Sequence, residues 1–592
     1  MDVKAAAAPA PPRGGRRWTY AALLGWVLAA DAWFQGPLLG GRVAPSLGAW
    51  LLLAVVLVAA ARAVPKWRRR PSAFVLAVAG MLALATLARL PAIRAPGSLI
   101  SSDSAVAGII AQELREERRP GPIYAPGFPY EGTLKPHLTA LAGRALPFVG
   151  TPLLYLLASH AFFLLWIVAV MALARRLGGL AAALAAGGFL AVSPRFLAAF
   201  SLNNVGQYAE VNALGAAGLA VLGSAGGPLL AAFLVGLALW QQLVAVYFVA
   251  VLALAVLVTP HWRSPRPLAE LVLGLAAGSY PIWLWNAAHG WATFDFFRRG
   301  GKNPWERLAG VPDRLERTVS ISFPKLFGLS DLDMAGTAAT VLGLALPVLV
   351  IAMTCARRRD LLRDRGRSVV FVATALFAVT LAVFVVSKFS HRGVQRPRYL
   401  IPLYTPVAIA VGWSAAALAR RSRPLAATAV GGVLLVNAAG LVPWLRARAD
   451  AEARDDAFLG RLADLGVRTG YSGFWVGPKY TFLSEGAVVL SGELGPVVSW
   501  VHPAHAAVVR ERGPDALVAG RGALADALAG RLSLLGVAYE REDVAGHTVF
   551  HGLSRRVTLE DVSGYDTDAG APPPASGDTP DSRVGEESDT TS

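Results

Sequence analysis

The chain has 592 residues, of which 55% are hydrophobic and 16% are charged. Soluble domains carry about 25% charged residues, and the apolar residues here form blocks of about 18–22, the length that crosses a hydrocarbon core. The net charge of +17 does not indicate nucleic-acid binding, because no basic stripe carries interleaved aromatic residues. The composition excludes an ordinary soluble domain and predicts an α-helical polytopic membrane protein.

The apolar blocks predict about thirteen membrane-spanning helices. They lie near 18–34, 46–63, 72–90, 149–174, 178–193, 207–223, 228–240, 242–258, 267–286, 335–356, 368–387, 400–419 and 424–445. The region 207–258 is the hardest to divide, because its pieces are short and Trp240-Gln-Gln242 interrupts them. Short or broken spans are tolerated where they border protein or a cavity instead of lipid.

Basic residues, mostly Lys and Arg, occur in the N-terminal tail and in five of the connections, as the positive-inside rule expects on the cytoplasmic side. These segments are 13–17, 62–70, 175–176, 261–263, 357–367 and 420–423. A cytoplasmic N-terminal tail (1–17) places all six on one side. The segments 91–148, 194–206, 287–334, 388–399 and everything after 446 then face outward.

The first apolar run, 18–33, has no small-residue cleavage site and is followed by further spans, so we expect no signal peptide. The Ala-, Arg- and Gly-rich composition is typical of a bacterium. We therefore expect an inner (plasma) membrane protein whose C-terminal region is periplasmic.

The composition changes after the last span. Residues 446–560 alternate short helical and strand patterns, which predicts a small extracytoplasmic α/β domain behind a transmembrane domain that covers 18–445. The expected helices are 458–465 and 523–535, and the expected strands are 487–490, 496–501, 516–519 and 547–551. The segment 561–592 is rich in Asp, Glu, Ser, Thr, Pro and Gly, which predicts a disordered acidic tail.

Candidate catalytic carboxylates lie in the outer loop 91–148. Asp103, in Ser101-Ser-Asp-Ser104, begins a helix that we expect to run to about Arg118. A carboxylate at the membrane surface suits a general base. The alternative is that Asp103 or Ser102 only caps the helix. Tyr130 and Glu131 follow in the same loop; Glu131 is either a second catalytic carboxylate or a solvated loop charge.

A second group of polar residues follows Ser193-Pro-Arg195 and continues through Asn204 and Tyr208 to Glu210. Glu210 falls near the membrane interface, where an ionisable side chain is costly and is therefore a functional candidate. The alternative for Glu210 is a snorkelling or paired residue.

A basic cluster interrupts the charge pattern of the outer loops. It comprises Lys388, Arg392, Arg396 and Arg398, followed by Tyr399. Topology does not explain cations on the outer side. Arg binds phosphate through two parallel hydrogen bonds, so the cluster suits a phosphate or pyrophosphate group. The alternatives are attraction to anionic lipid and surface salt bridges.

Several short motifs are similar to those of one enzyme class. Arg398-Tyr-Leu-Ile-Pro-Leu-Tyr404 resembles a recurrent entry to a late span, and Gly278-Ser-Tyr-Pro-Ile-Trp-Leu-Trp-Asn286 resembles a recurrent span end. Together with Asp103 in the first large outer loop, they give a resemblance to the GT-C class of polytopic glycosyltransferases, which includes protein O-mannosyltransferases and lipid A aminoarabinose transferases. Tyr471-Ser-Gly-Phe-Trp475 resembles the outer domain of a bacterial subgroup.

Two features depart from the GT-C pattern. Many members have a second acidic residue directly after the loop aspartate, whereas Ser104 follows here. Two extra spans also precede the catalytic loop.

The resemblance implies an inverting transfer of a sugar from a polyprenyl-phosphate carrier to a glycan, lipid or protein acceptor at the outer face. Asp103 would be the general base, and the cations of the basic cluster would offset charge on the leaving phosphate. Some members use a divalent metal. Because no second ligand is evident and no metal-binding spacing or nucleotide motif stands out, we predict no metal and no other cofactor.

Two other functions remain open. A transporter or flippase of lipid-linked sugars predicts charges at mid-depth in the spans and inverted repeats. A non-catalytic scaffold that binds a partner through its outer domain predicts that the carboxylates of the loop 91–148 are dispensable.

Overall fold

The computed structural model describes residues 13–38, 72–116, 121–203, 205–222, 227–298, 310–332, 336–363, 368–390, 396–494 and 501–562. The predicted span 46–63 lies outside these residues. So do nearly all of the predicted strand 496–501 and of the predicted acidic tail 561–592.

The membrane part is built from helices. In chain order they are α1 (Arg13–Trp33), α2 (Ala73–Ile93), α3 (Ser102–Arg115), α4 (Leu134–Ala145), α5 (Thr151–Ala191), α6 (Arg195–Phe200), α7 (Tyr208–Val221), α8 (Gly227–Gln241), α9 (Val246–Val258), α10 (Pro265–Gly278), α11 (Tyr280–Ala288), α12 (Ala292–Arg298), α13 (Val311–Arg317), α14 (Phe323–Leu326), α15 (Gly336–Ala356), α16 (Arg358–Arg363), α17 (Val369–Val386), α18 (Tyr404–Ala419) and α19 (Arg423–Asp464). Every predicted span within the described residues falls in apolar helical sequence, and the predicted helical membrane architecture is confirmed.

Six helices in the described part of the chain are long and apolar enough to cross a membrane, and the bent pair α10–α11 makes a possible seventh. These six are α2, α5, α15, α17, α18 with the turn before it, and α19. The region 207–258 instead forms the shorter helices α7, α8 and α9. Most of α7 is buried against other helices, and a helix surrounded by protein need not span the full hydrocarbon thickness.

One long helix replaces two predicted spans. The predicted spans 149–174 and 178–193 belong to α5, whose 41 residues bend where Gly178 and Gly179 leave helical geometry. Gly179 has φ of 71°, a conformation that costs glycine nothing. The two predicted apolar segments therefore form one helix that bends at Gly178 and Gly179.

The C-terminal region forms a five-stranded sheet with helices. Its elements are β1 (Thr469–Gly473), α20 (Gly477–Leu483), β2 (Val489–Leu494), α21 (Pro503–Arg512), β3 (Ala516–Gly520), α22 (Ala523–Leu534), β4 (Glu540–Val544), β5 (His547–His551) and α23 (Leu559–Val562). The strand order is β2-β1-β3-β5-β4. β1 is parallel to β2 and β3, whereas β5 is antiparallel to β3 and β4. The predicted small α/β domain is confirmed.

Local sequence explains which of these elements were predicted. β5 and α22 match the expected segments because their apolar residues alternate or recur clearly. β1 and β4 were not predicted, since β1 is rich in glycine and β4 carries Glu, Arg and Asp. The predicted helix 458–465 is not separate, because α19 runs without interruption from the membrane part into this domain.

The C-terminal domain packs directly on α3, the helix that begins beside Asp103. Gln112 Nε2 donates a hydrogen bond to the carbonyl oxygen of Phe482 at 2.9 Å. His502 Nε2 lies 2.8 Å from Glu113 Oε1, with both side chains buried. The loop that carries the candidate base and the C-terminal domain therefore lie on the same side of the membrane helices.

A buried arginine joins three segments at the end of α2. Arg89 is fully buried, and its guanidinium donates to Ser201 Oγ at 2.8 Å, to Ser193 Oγ at 2.7 Å and to the carbonyl oxygen of Ala191 at 2.8 Å. Its charge is met by neutral oxygens among the described residues. It fastens the segment after α5, which leads to the candidate site, to α2.

We expect Arg89→Ala to lower the free energy of unfolding by about 3 kcal/mol, because several buried oxygens lose a charged donor. Arg94→Ala is the matched control, since Arg94 is exposed at the end of the same helix and should change stability by less than about 0.5 kcal/mol. Thermal unfolding of the purified proteins in detergent measures both. Equal stability of the two variants would contradict the fastening role.

Candidate functional site

The candidate base lies in the first turn of α3. The cap of this helix is Ser101, whose Oγ accepts from the backbone N–H of Ser104 at 3.3 Å. The alternative that Asp103 or Ser102 is the cap is therefore wrong, and the carboxylate of Asp103 is not consumed by capping. A carboxylate in the first turn is stabilised by the helix dipole.

The position of α3 is set by a hydrogen bond to a distant loop. Ser104 Oγ donates to Asn203 Oδ1 at 2.7 Å and lies 3.0 Å from Ser101 Oγ. Asn203 follows α6, in the segment that Arg89 fastens through Ser193 and Ser201. The residue after the candidate base thus has a neutral structural role here, where many GT-C proteins carry an acid.

Two arginines of the predicted basic cluster lie near enough to Asp103 to affect its pKa. Burial raises the pKa of Asp103 above its usual range, and the positive charges of Arg398 and Arg396 act against that rise. Arg398 lies in a 3₁₀ turn, Pro397–Leu403, that precedes α18. Its Nε is buried and has no hydrogen-bond partner among the described residues. The structure therefore brings together the carboxylate and part of the basic cluster.

Glu131 lies close to the same charges. Burial raises the pKa of Glu131 to about 8, and the negative charge of Asp103 adds to the rise. Glu131 is only partly exposed, and its role as a catalytic carboxylate stays a prediction. The pKa of Tyr130 is also raised, first by burial and then by the charge of Glu131. The raised pKa favours the uncharged form of Glu131 near neutral pH.

Glu210 is paired with a lysine that we did not predict. It lies in the first turn of α7, and its Oε1 is 3.5 Å from Lys135 Nζ. Lys135 Nζ also donates to Ser159 Oγ at 2.7 Å, and Ser159 Oγ donates to Glu210 Oε1 at 3.2 Å. The geometry of Glu210 therefore matches the alternative interpretation, in which Glu210 is a paired residue.

Lys135 itself is fully buried, with its ammonium 3.9 Å from the centre of the Tyr155 ring. Burial lowers its pKa to about 8, and Glu210 acts in the opposite direction. The sequence could have indicated a role for Lys135, because it is a charged residue close to Glu131 in the loop segment Tyr130-Glu-Gly-Thr-Leu-Lys-Pro136. Only the fold shows that this lysine reaches α7.

Aromatic rings border the arginines. Tyr399 stacks on Phe389 with ring centres 3.8 Å apart and meets the ring of Tyr208 edge-on at 6.2 Å. Tyr208 is buried at the start of α7. The predicted candidates Tyr399 and Tyr208 therefore lie together, beside Arg398.

Two other predicted residues lie farther from the carboxylates. Asn286 is buried, and its Nδ2 donates to Thr293 Oγ1 at 3.1 Å. Thr293 Oγ1 in turn donates to the carbonyl oxygen of Pro129 at 2.7 Å, so Asn286 supports the loop that carries Glu131. Arg195 begins α6, the short helix that leads to Asn203.

Three predicted residues cannot be placed in the site. Asn204 and Arg392 lie outside the described residues, and only the backbone of Lys388 is described. In the part of the chain that the structure describes, no three His, Cys, Asp or Glu side chains are grouped as metal ligands. The described site is thus a cluster of carboxylates, arginines and a lysine, arranged for proton transfer and anion binding.

The sequence matches no protein-family model and no curated protein. Similar solved structures include ArnT from Cupriavidus metallidurans in the apo state, at a TM-score of 0.54 and 14% identity, covering 80% of this chain and 97% of that chain. The same protein bound to undecaprenyl phosphate gives a TM-score of 0.55 at 15% identity and covers 81% of this chain and 98% of that chain. The chain therefore shares the fold of ArnT, and the architecture that the resemblance predicted is confirmed.

We expect Lys135→Met to lower the free energy of unfolding by about 3–5 kcal/mol, because it leaves the buried Glu210 carboxylate without its cation. The double variant Lys135→Met/Glu210→Gln should recover most of this loss, since no uncompensated charge remains. Thermal unfolding of the wild type, both single variants and the double variant gives the coupling energy. Simple additivity of the two single effects would show that the residues are not energetically paired.

Proposed function

We propose that this protein is a membrane glycosyltransferase that moves a sugar from a polyprenyl-phosphate carrier to an acceptor. The observation that carries the proposal is the meeting of Asp103 with Arg396 and Arg398 at the start of α3. The fold adds support, since the similar protein ArnT was crystallised with undecaprenyl phosphate bound. A base beside a phosphate-binding cluster is what such a transfer needs.

Asp103 is the proposed general base of an inverting displacement. Its carboxylate takes the proton from an acceptor hydroxyl or amine, whose oxygen or nitrogen attacks the anomeric carbon. The bond between that carbon and the phosphate oxygen breaks, and polyprenyl phosphate leaves with the bonding electrons. The charges of Arg398 and Arg396 act against the burial-driven rise of the Asp103 pKa and so favour the ionised form that accepts the proton.

Arg398 and Arg396 are the proposed phosphate ligands. The buried Nε of Arg398 has no partner within the described residues, and a guanidinium binds phosphate oxygens through charge-assisted hydrogen bonds. Charge grows on the phosphate as the sugar departs. Preorganised cations at this position stabilise the transition state more than the ground state.

The other two carboxylates have different proposed roles. Glu131 is uncharged at neutral pH because its pKa is about 8, so it donates a hydrogen bond and does not compete with Asp103 as base. Glu210 is bound to Lys135 and Ser159, so it positions the loop between α3 and α4. We assign Glu210 no proton transfer.

The proposed setting follows from the charge pattern of the loops. The protein is an integral membrane protein with several apolar helices. We propose the inner membrane of a bacterium, with the N-terminus cytoplasmic and both the site and the C-terminal domain on the outer side. The acceptor is a glycan, a lipid or a protein at that face.

We expect Asp103→Asn to reduce sugar transfer by about 100-fold or more, because general-base catalysis contributes this much. The measurement is sugar release by purified protein from a panel of radiolabelled polyprenyl-phosphate sugars, with candidate acceptors present. Asp526→Asn is the matched control, since Asp526 is an exposed first-turn aspartate of α22 and should keep full activity. Full activity in Asp103→Asn would contradict the mechanism.

The same assay with EDTA tests the prediction that the protein needs no metal. We expect unchanged turnover after chelation, because Arg396 and Arg398 supply the positive charge at the phosphate. Loss of turnover that added divalent cation restores would contradict it.

We expect kcat/KM to be highest below pH 8 and to fall as the pH rises through about 8. The reason is that the pKa of Glu131 is raised to about 8, so the uncharged acid is present below this value and lost above it. kcat/KM reports ionisations of the free enzyme. Glu131→Gln, which stays uncharged, should lose this alkaline limb.

Lys135 is the other group that could cause the alkaline limb. Burial lowers its pKa to about 8, so it titrates in the same pH range as Glu131. An unchanged alkaline limb in Glu131→Gln would assign the ionisation to Lys135 and contradict the proposed role of Glu131. A limb that disappears only in Glu131→Gln supports it.

A further inference from the structure

Two charged side chains of α19 hold the backbone just before α3, and the proposed mechanism uses neither of them. Arg448 and Glu452 stand one helical turn apart, and both are partly buried, whereas residues 446, 447, 449 and 450 of the same helix are exposed. Arg448 Nη1 donates to the carbonyl oxygen of Ser98 at 2.9 Å, and the N–H of Ser98 donates to Glu452 Oε2 at 2.7 Å. We call these two side chains the Ser98 clamp.

The clamp supplies partners that the local backbone lacks. Residues Gly97–Leu99 form a single 3₁₀ turn, whose two closing bonds are accepted by the carbonyl oxygens of Pro96 and Gly97. Neither the N–H nor the carbonyl oxygen of Ser98 takes part in these bonds. A backbone polar group that is shielded from water is unfavourable without a partner, and α19 provides one for each.

The contact between the turn and α19 is close. A Cβ on residue 97 would lie 2.9 Å from Glu452 Oε2, so the position requires glycine or a shift of the glutamate. Leu99, at the end of the turn, packs in one cluster with Leu441 and Trp444 of α19. The guanidinium of Arg448 lies 5.2 Å from the centre of the Trp444 ring. These α19 residues recur every three or four positions, so one face of the helix holds the turn.

The chain between the clamp and the candidate base is short and packed. Asp103 is five residues after Ser98, and the cap of α3 lies between them. Leu99 and Ile100, which follow Ser98, are 6% and 5% exposed. A closely packed segment of this length has little freedom to absorb a shift. A displacement at Ser98 is therefore passed on to the first turn of α3.

The proposed phosphate ligands belong to another part of the chain. Arg396 and Arg398 lie in and next to the 3₁₀ turn before α18, whereas the clamp acts on the segment before α3. Loss of the clamp therefore moves the base relative to the phosphate and removes no phosphate ligand. A misplacement of about 1 Å can lower a rate by about 100-fold, so the rate responds to the clamp even where lipid binding does not.

We propose that Arg448 and Glu452 are positioning residues, which set the place of Asp103 through the backbone of Ser98. The inference rests on the proposed function and adds the means by which the base is held against the phosphate cluster. Since α19 continues into the C-terminal domain, the helix that carries this domain also fixes the base. Neither side chain of the clamp is assigned a contact with substrate.

The test separates the chemical step from lipid binding. Glu452→Leu removes the acceptor at Ser98 and Arg448→Met removes the donor, while each keeps much of the side-chain volume. For each variant, kcat for sugar transfer, the dissociation constant of sugar-free polyprenyl phosphate and thermal unfolding in detergent are measured. Arg446→Met and Asp450→Leu are the matched controls, because these residues repeat the charges and spacing of the clamp on the exposed face of the same helix.

We expect kcat to fall about 10- to 100-fold in both clamp variants, while the dissociation constant of polyprenyl phosphate stays within about twofold. Both control variants should keep the wild-type kcat. Glu452→Gln retains a side-chain oxygen that accepts from the N–H of Ser98 and should recover most of the loss.

A second readout distinguishes positioning from a general loss of structure. When each clamp variant is combined with Asp103→Asn, the residual rate should fall no further, because a base that is absent cannot be misplaced. A clamp that only stabilises the fold would instead lower the rate by the same factor with and without the Asp103 carboxylate.

The inference is overturned by full kcat in a folded clamp variant, by an equal loss with and without the Asp103 carboxylate, or by a loss of lipid affinity as large as the loss of kcat. Failure of both clamp variants to fold would also overturn it, since their role would then be structural alone. Each of these results leaves the proposed function standing where the wild type transfers sugar. Absence of transfer by the wild type with every donor and acceptor would instead remove the proposed function, and the inference with it.

Discussion

The attraction between Asp103 and the arginines at 396 and 398 is the constraint on which the described site depends. These residues lie far apart in the chain, one in the first turn of α3 and the others before α18. Burial raises the pKa of Asp103, and the two arginines act against that rise. Asp103, Arg396 and Arg398 are partly buried, and partly buried charges are more stable beside opposite charges, so the approach of these two segments lowers the cost of both.

The remaining contacts around α3 hold that pair in place. At one end, Ser104 bonds to Asn203, in a segment that Arg89 fastens to α2. At the other end, Gln112 bonds to the backbone of the C-terminal domain at Phe482. The C-terminal domain therefore contacts the helix that carries Asp103, at the end opposite to Asp103.

Much of the fold could be read from the sequence because apolar block length reports directly on helices in a membrane. The first-turn position of Asp103 was also readable, since a run of serines precedes an apolar helical pattern. The cap is Ser101 and not Asp103 or Ser102. All four residues in Ser101-Ser-Asp-Ser104 have side chains that can accept from backbone N–H groups. Sequence pattern does not distinguish between neighbouring caps.

The residues that pattern reasoning missed are those whose meaning comes only from tertiary contacts. Lys135 is a loop lysine by sequence, and it becomes a buried partner of Glu210 only once α4 and α7 pack against α5. Gln241 and Gln242 interrupt an apolar run, which predicts an irregular helix but not their burial beside Gly132 and Gly206. β1 and β4 lack apolar alternation, and their strands exist because β3 and β5 offer them backbone partners.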